Sequence, residues 1–218
     1  MTPTEIVEGR TARKRKAIVE AATSLFLQQG YDGTSMDQVA GRAAVSKQTV
    51  YKQFADKERL FADVILGVSG TVDAFVATVS DVLVKTEHLE HDLQQLARIY
   101  IKTVMQPRVV QLRRLLIAQA SRFPDLGRSY YERGPERVTA ALAARFEELA
   151  ARGLLLLDNP LLAAQHFAFL VLSIPLDKAL ICEGQTFSAA ELEGLADAGV
   201  RVFLAAYGRG GGSAKLTP

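Results

Sequence analysis

Residues 35–61 read SMDQVAGRAAVSKQTVYKQFADKERLF, and their polar residues fall where caps and turns need them. Ser35 opens a helix, with Gln38 three positions on in capping-box spacing. Met36, Val39, Ala40 and Ala43 mark its inward face. Ser46 caps the next helix, whose only apolar stripe is Val50 and Phe54, four residues apart. Around that stripe stand Lys47, Gln48, Thr49, Tyr51, Lys52 and Gln53, more donors than packing would explain. Asp56 caps a further, long helix starting at Lys57, with Leu60, Phe61, Val64, Ile65 and Val68 inward.

Helical periodicity continues on either side. Upstream, a helix from about 11 to 29 places Ile18, Ala21, Ala22, Leu25 and Phe26 on one face, and Gly30 stops it. Downstream the pattern predicts helices at about 89–106, 107–122, 126–152, 159–182 and 188–207. Pro107 suits a first turn, whereas Gly134–Pro135 and Pro175 should kink their helices. No alternating strand pattern or internal repeat is present. The expected fold is all-α with about nine helices. Residues 1–56 form an N-terminal arm (1–10) and a three-helix domain, 57–207 a larger helical domain, and 208–218 a flexible tail.

The composition fits a globular chain: 218 residues, 49% hydrophobic and 23% charged. Residues 1–60 hold ten Lys and Arg against seven Asp and Glu, while the rest is near neutral, which points to a polyanionic partner for the N-terminal end. Cys182 is the single cysteine, so no intrachain disulfide forms. The most apolar stretch, 161–176, is interrupted by Gln165, His166 and Pro175 and reads as a buried helix; the expected location is cytoplasmic. His88 and His91 lie three apart among Glu87, Glu90 and Asp92, but no second cluster accompanies them, and an exposed helix start explains them. No Ser–His–Asp grouping, CxxC pair or phosphate-binding glycine loop is apparent, so neither an enzyme nor a cofactor is expected.

Two short helices joined by a three- or four-residue turn make a helix-turn-helix, whose second helix can enter a DNA major groove. Lys47, Gln48 and Thr49 would bring donors and free backbone N–H groups to base edges and phosphates. Patterning alone leaves open an αα-hairpin with a solvated outer face.

The order of residues narrows this choice. Phe26, Gly30, Tyr31, Thr34 and Ser35, then Val39, Ala40, Ala43, Val45, Ser46, Lys47, Thr49, Val50, Tyr51, Phe54, Lys57, Glu58 and Leu60, stand in unbroken spacing over about 47 residues. This stretch resembles the N-terminal domain of the TetR family of transcriptional regulators, and the remainder is most similar in architecture to AcrR- and AefR-type members. The resemblance implies DNA contacts from Thr34, Ser35, Lys47, Gln48, Thr49, Tyr51, Lys52 and Lys57, with Arg13 to Lys16 reaching flanking phosphates. Gln48 stands where many members carry glycine, Lys52 where tyrosine is common and Gln53 where histidine is, which leaves the operator sequence open.

The resemblance further implies that the C-terminal helical domain binds a ligand and dimerises. The chain would then be a ligand-responsive repressor on a palindromic DNA operator, released by a small, largely apolar effector. A homodimer through the 159–182 and 188–207 helices is expected, because the former is apolar around most of its circumference. Candidate effector contacts are Tyr100, Met105, Arg114, Phe123, Tyr130, His166, Phe167 and Leu170. The alternative is a helical small-molecule-binding or scaffold protein whose helix-turn-helix no longer binds DNA.

Overall fold

The computed structural model describes residues 3–67 and 69–209. They form eleven α-helices: α1 (Pro3–Gly33), α2 (Met36–Arg42), α3 (Lys47–Gln53), α4 (Lys57–Leu66), α5 (Ser69–Leu83), α6 (Leu89–Val104), α7 (Pro107–Gln119), α8 (Pro124–Tyr131), α9 (Arg137–Ala151), α10 (Pro160–Ile181) and α11 (Ala189–Tyr207). A π-helical turn, Glu132–Glu136, links α8 to α9 at the expected Gly134–Pro135 break. Taking α4 with α5 and α8 with α9 as the continuous segments read from the sequence, the nine expected helices are present. Among the described residues the only β pairing is an isolated bridge, Leu155 to Gly208.

The caps follow local chemistry. Ser35 and Gln38 close a full capping box at α2. The Ser46 and Asp56 side chains accept from the backbone N–H of Thr49 and Arg59, filling donors that a helix start leaves unpaired. Gly30 takes φ 73° and ψ 178°, so the regular helix stops there and one further turn carries the chain to Gly33.

Three expectations change. The anticipated irregular arm is helical from Pro3: proline fits a first turn, and the one glycine before Gly30, Gly9, is accommodated within the helix. The long fourth helix ends at Leu66 with Gly67 as its cap; the apolar periodicity runs on past that glycine and hides the break in the sequence. Gly208, assigned to the flexible tail, is held by its bridge, and Leu156 N–H donates to the Tyr207 carbonyl beside it at 2.8 Å. Val68 and the rest of the tail from 210 lie outside the described residues.

The chain divides into two compact units: Met1–Val68 with Gln111–Tyr130, and Ser69–Val110 with Tyr131–Pro218. In the first, α1 packs on α2 and α4, and α2 on α3. Its core contains every expected inward residue of α1, α4 and the Val50–Phe54 stripe among the described residues, joined by Leu112 and Leu116 of α7. In the second, α10 packs against α9 and α11, and α6 against α11. Phe146, Phe167 and Phe203 are fully buried there, with centroids 5.1–5.6 Å apart. Gly199 lets α10 and α11 approach closely, since a Cβ at that position would meet the Leu170 carbonyl oxygen at 2.8 Å. The expectation that α10 is buried holds for one face only. Phe169, Ile174 and Ile181 are 65%, 64% and 75% exposed on the other.

Candidate nucleic-acid interface

The α2–α3 pair is anchored by little apolar surface and presents much polar surface. Of α3 only Val50 is fully buried, with Phe54 at its C-terminal cap 3% exposed. Residues 43–46 make the turn, and Ala44 adopts φ 52°, the single non-glycine residue with positive φ among the described residues. Val45 N–H donates to the Ala40 carbonyl across it.

Lys47, Gln48, Tyr51 and Lys52 are exposed together on α3, with Thr49 half-buried beside them. The Thr49 hydroxyl lies 2.8 Å from Ser46 Oγ, so it belongs to the cap as well as to the surface. Lys47 forms an ion pair with Asp37 of α2 at 2.8 Å. The hydrogen bond to that carboxylate, followed by its charge, raises the Lys47 ammonium above the ordinary lysine value. Ser35 completes the exposed row at the start of α2.

Two expected contacts are turned inward. Thr34 is 2% exposed, and its hydroxyl donates to the Gly30 carbonyl at 2.9 Å, fastening the kink. Lys57 Nζ donates to the carbonyls of Tyr31 and Thr34, at 3.0 and 2.9 Å, and lies 4.3 Å from the Tyr31 ring centroid. Within the basic run, Arg15 is likewise used by the fold, paired with Asp63 and 4.4 Å from the Phe54 ring. Lys14 and Lys16 remain exposed.

The candidate effector residues fall in both units. Tyr100, Met105, His166, Phe167 and Leu170 belong to the second; Arg114, Phe123 and Tyr130 belong to the first. Tyr100 stacks on Phe75 at 4.7 Å, and Phe167 is fully buried in the ring cluster. His166 is exposed, its Nδ1 2.6 Å from the Tyr207 hydroxyl, and Leu170 is 36% exposed. Phe123 packs on Tyr31 and Phe61, with centroids at 5.0 and 5.7 Å, and Tyr130 Oη accepts from Arg113 Nε. Sequence reasoning missed Arg122, which pairs with Asp32 at 2.8 Å and sits over Tyr31. A pairing across 90 positions leaves no local signature.

Residues 18–64 match the profile of bacterial regulatory proteins of the tetR family. Residues 91–209 match that of the AefR-like transcriptional repressor C-terminal domain. The chain belongs to the TetR family. Among solved structures it is similar to a protein from Mesorhizobium loti described as a TetR-family transcriptional regulator, with 46% identity and a TM-score of 0.84 over 91% of this chain and 98% of that one. It is also similar to the flavonoid-responsive regulator FrrA, with 32% identity and a TM-score of 0.66 over 90% and 98% of the two chains. By sequence, YhgD of Bacillus subtilis, an HTH-type transcriptional regulator, is 49% identical over 51 residues. That match spans 23% of this chain and 27% of YhgD, so the chain aligns with about a quarter of the curated relative's length. The TetR-family chain is thus a transcriptional regulator with an N-terminal helix-turn-helix and a C-terminal domain of the family's ligand-binding fold.

Proposed function

We propose that this TetR-family regulator is a cytoplasmic repressor that binds a palindromic operator in duplex DNA as a homodimer and leaves it when a small, largely apolar effector binds. The observation that carries the DNA-binding part is α3 itself, which commits Val50 to the core and exposes Lys47, Gln48, Tyr51 and Lys52 on one short helix. A helix placed in the major groove reads bases with such side chains, and amide and cationic groups suit adenine and guanine edges respectively. Ser35, Lys47 and Lys52 are the phosphate or base contacts, Gln48 the base reader, and Tyr51 a groove contact. Thr34, Thr49 and Lys57 act beneath this surface, holding the turns and caps from which it is presented.

Dimerisation is supported by α10, which carries Leu162, Phe169, Ile174 and Ile181 outward, and by the exposed Val202 of α11. An apolar face of this extent on one long helix is suited to a second copy, and two-fold symmetry then matches a palindrome. The effector reading is supported by the family's ligand-binding fold and by the similarity to FrrA, a regulator responsive to flavonoids. An effector releases the operator only if it binds the DNA-incompetent state more tightly.

The test is selection of bound fragments from random duplex DNA, followed by anisotropy titrations on the enriched site across a salt series. An inverted repeat is expected, with log affinity falling linearly against log salt. Replacing Lys47 and Lys52 by alanine in both subunits should lower that slope by about 0.9 for each phosphate no longer neutralised. No enriched sequence, together with salt-independent behaviour, would sink the assignment and favour a helical carrier or scaffold.

A further inference from the structure

The turn that leads into α2 is gripped by two cations from distant parts of the first unit. Tyr31, 2% exposed, lies among Phe26, Phe61 and Phe123, with centroids 5.9, 4.9 and 5.0 Å away. Lys57 holds the Tyr31 and Thr34 carbonyls from the start of α4. Arg122, from the junction of α7 and α8, donates from Nη1 to the Asp32 carboxylate at 2.8 Å. Its guanidinium carbon is 4.8 Å from the Tyr31 centroid and 5.3 Å from that of Phe123. Residues 31, 32 and 34 are therefore all fastened, and Ser35, the next residue, is the N-cap from which α2 begins.

The chemistry favours arginine for this task. A planar guanidinium can lie against a ring while its edge donates to a carboxylate, whereas a lysine ammonium is a point charge that serves one partner well. An ion pair this exposed, at 51% and 74%, contributes little when it stands alone. Here the pair is backed by two rings, one of them buried.

We propose that Arg122 is a positioning residue for the DNA-binding surface: by bridging Asp32 and the Tyr31 ring it fixes the 30–34 turn, and hence the start of α2, without touching DNA. This rests on the DNA-binding function proposed above. The sign of one substitution separates positioning from plain electrostatics. Removing the negative charge of Asp32 near a polyanion would by itself raise DNA affinity, whereas loss of the bridge lowers it.

The experiment compares Arg122→Met, Arg122→Lys, Asp32→Asn and the Arg122→Met/Asp32→Asn double variant. It uses the full chain and the operator fragment recovered by selection, with hydrogen exchange of residues 34–42 followed in the free protein. Each of Arg122→Met and Asp32→Asn is expected to lower operator affinity about 5–10-fold with an unchanged salt slope. The double variant should be no worse than either single change, because both break one bridge. Arg122→Lys should recover only part of the loss, and exchange over 34–42 should quicken in both single variants. Affinity unchanged or raised in Asp32→Asn would overturn the proposal. So would a slope lowered by about 0.9 in Arg122→Met, the change expected of a single phosphate, which would make Arg122 a direct DNA ligand. If the wild-type protein binds no DNA, the functional reading fails and the positioning role with it. Exchange then still judges the clamp, and unchanged protection in Arg122→Met would refute it.

Discussion

The two units of this TetR-family chain both bury clusters of rings and differ in what their outer helices expose. In the first, cations are drawn onto aromatic rings: Lys57 and Arg122 against Tyr31, Arg15 against Phe54. Its outer α3 face is left polar. In the second, Phe146, Phe167 and Phe203 cluster as Phe26, Tyr31, Phe61 and Phe123 do in the first, Lys178 lies over Phe187, and the ion pairs Arg98–Asp197 and Lys102–Glu193 join α6 to α11. Its outer α10 face is left apolar. The first unit thereby turns donors and cations outward on α3 and the second apolar side chains on α10, although both are small helical bodies.

The largest effect should come from inverting the outer face of the second unit. Phe169→Glu with Ile174→Glu places two charges on exposed positions, so the fold should survive while assembly fails. Sedimentation should show dimer affinity weakened about 100-fold or more, since a buried central residue at an interface commonly contributes over 1–2 kcal/mol. An unaltered oligomeric state would place the dimer interface elsewhere.

A smaller effect tests the outer face of the first unit. Asp37 holds Lys47 in the free protein and brings a negative charge to the face proposed to meet phosphate. Asp37→Asn should raise affinity for random duplex DNA about 3-fold and steepen the salt slope, while operator affinity changes less, so selectivity narrows. Titrations on random and operator fragments check this, and equal gains on both would remove Asp37 from any role in discrimination.

The smallest effect is in the pH dependence of stability. Burial raises the Tyr31 phenol above its ordinary value, so the unfolded chain ionises first and the first unit loses stability as pH rises past about 10. In the second unit the Ser188 N–H lowers Glu191, and the hydrogen bond from Lys102 lowers Glu193. Their contribution is present above the ordinary glutamate value and is lost as pH falls through their lower folded values. Thermal scans should show Tyr31→Phe flattening the alkaline limb and Glu193→Gln the acid limb. Crossed results would erase the contrast between the units.

Much of this is legible in the sequence because it is local. Ser35, Ser46 and Asp56 each bond a backbone N–H three residues on, so spacing alone reveals them. Gly30 interrupts α1 through its own φ, and the inward faces of α1, α2 and α4 follow the helical period. What stays hidden depends on distant partners. Leu112, Leu116 and Phe123 join the first unit's core from far along the chain, and nothing in residues 111–130 signals that allegiance. For the same reason the effector candidates, selected for softness and polarity, fall in both units. Lys57 and Thr34 look like surface donors in the sequence because their acceptors are backbone carbonyls, which no sequence pattern displays. Gln48 stands where the helical period puts it, exposed on the outward side of α3.

Ala44 sets a limit on how the first unit can respond. Alanine in the left-handed region occupies a narrow well, at a cost of about 1 kcal/mol that glycine would not bear. The joint between α2 and α3 is therefore stiff: the Cβ denies it the neighbouring angles a glycine hinge would explore. With Val45 N–H also bonded to the Ala40 carbonyl, α2 and α3 are expected to move as one piece, and Ala44→Gly to let them hinge against each other.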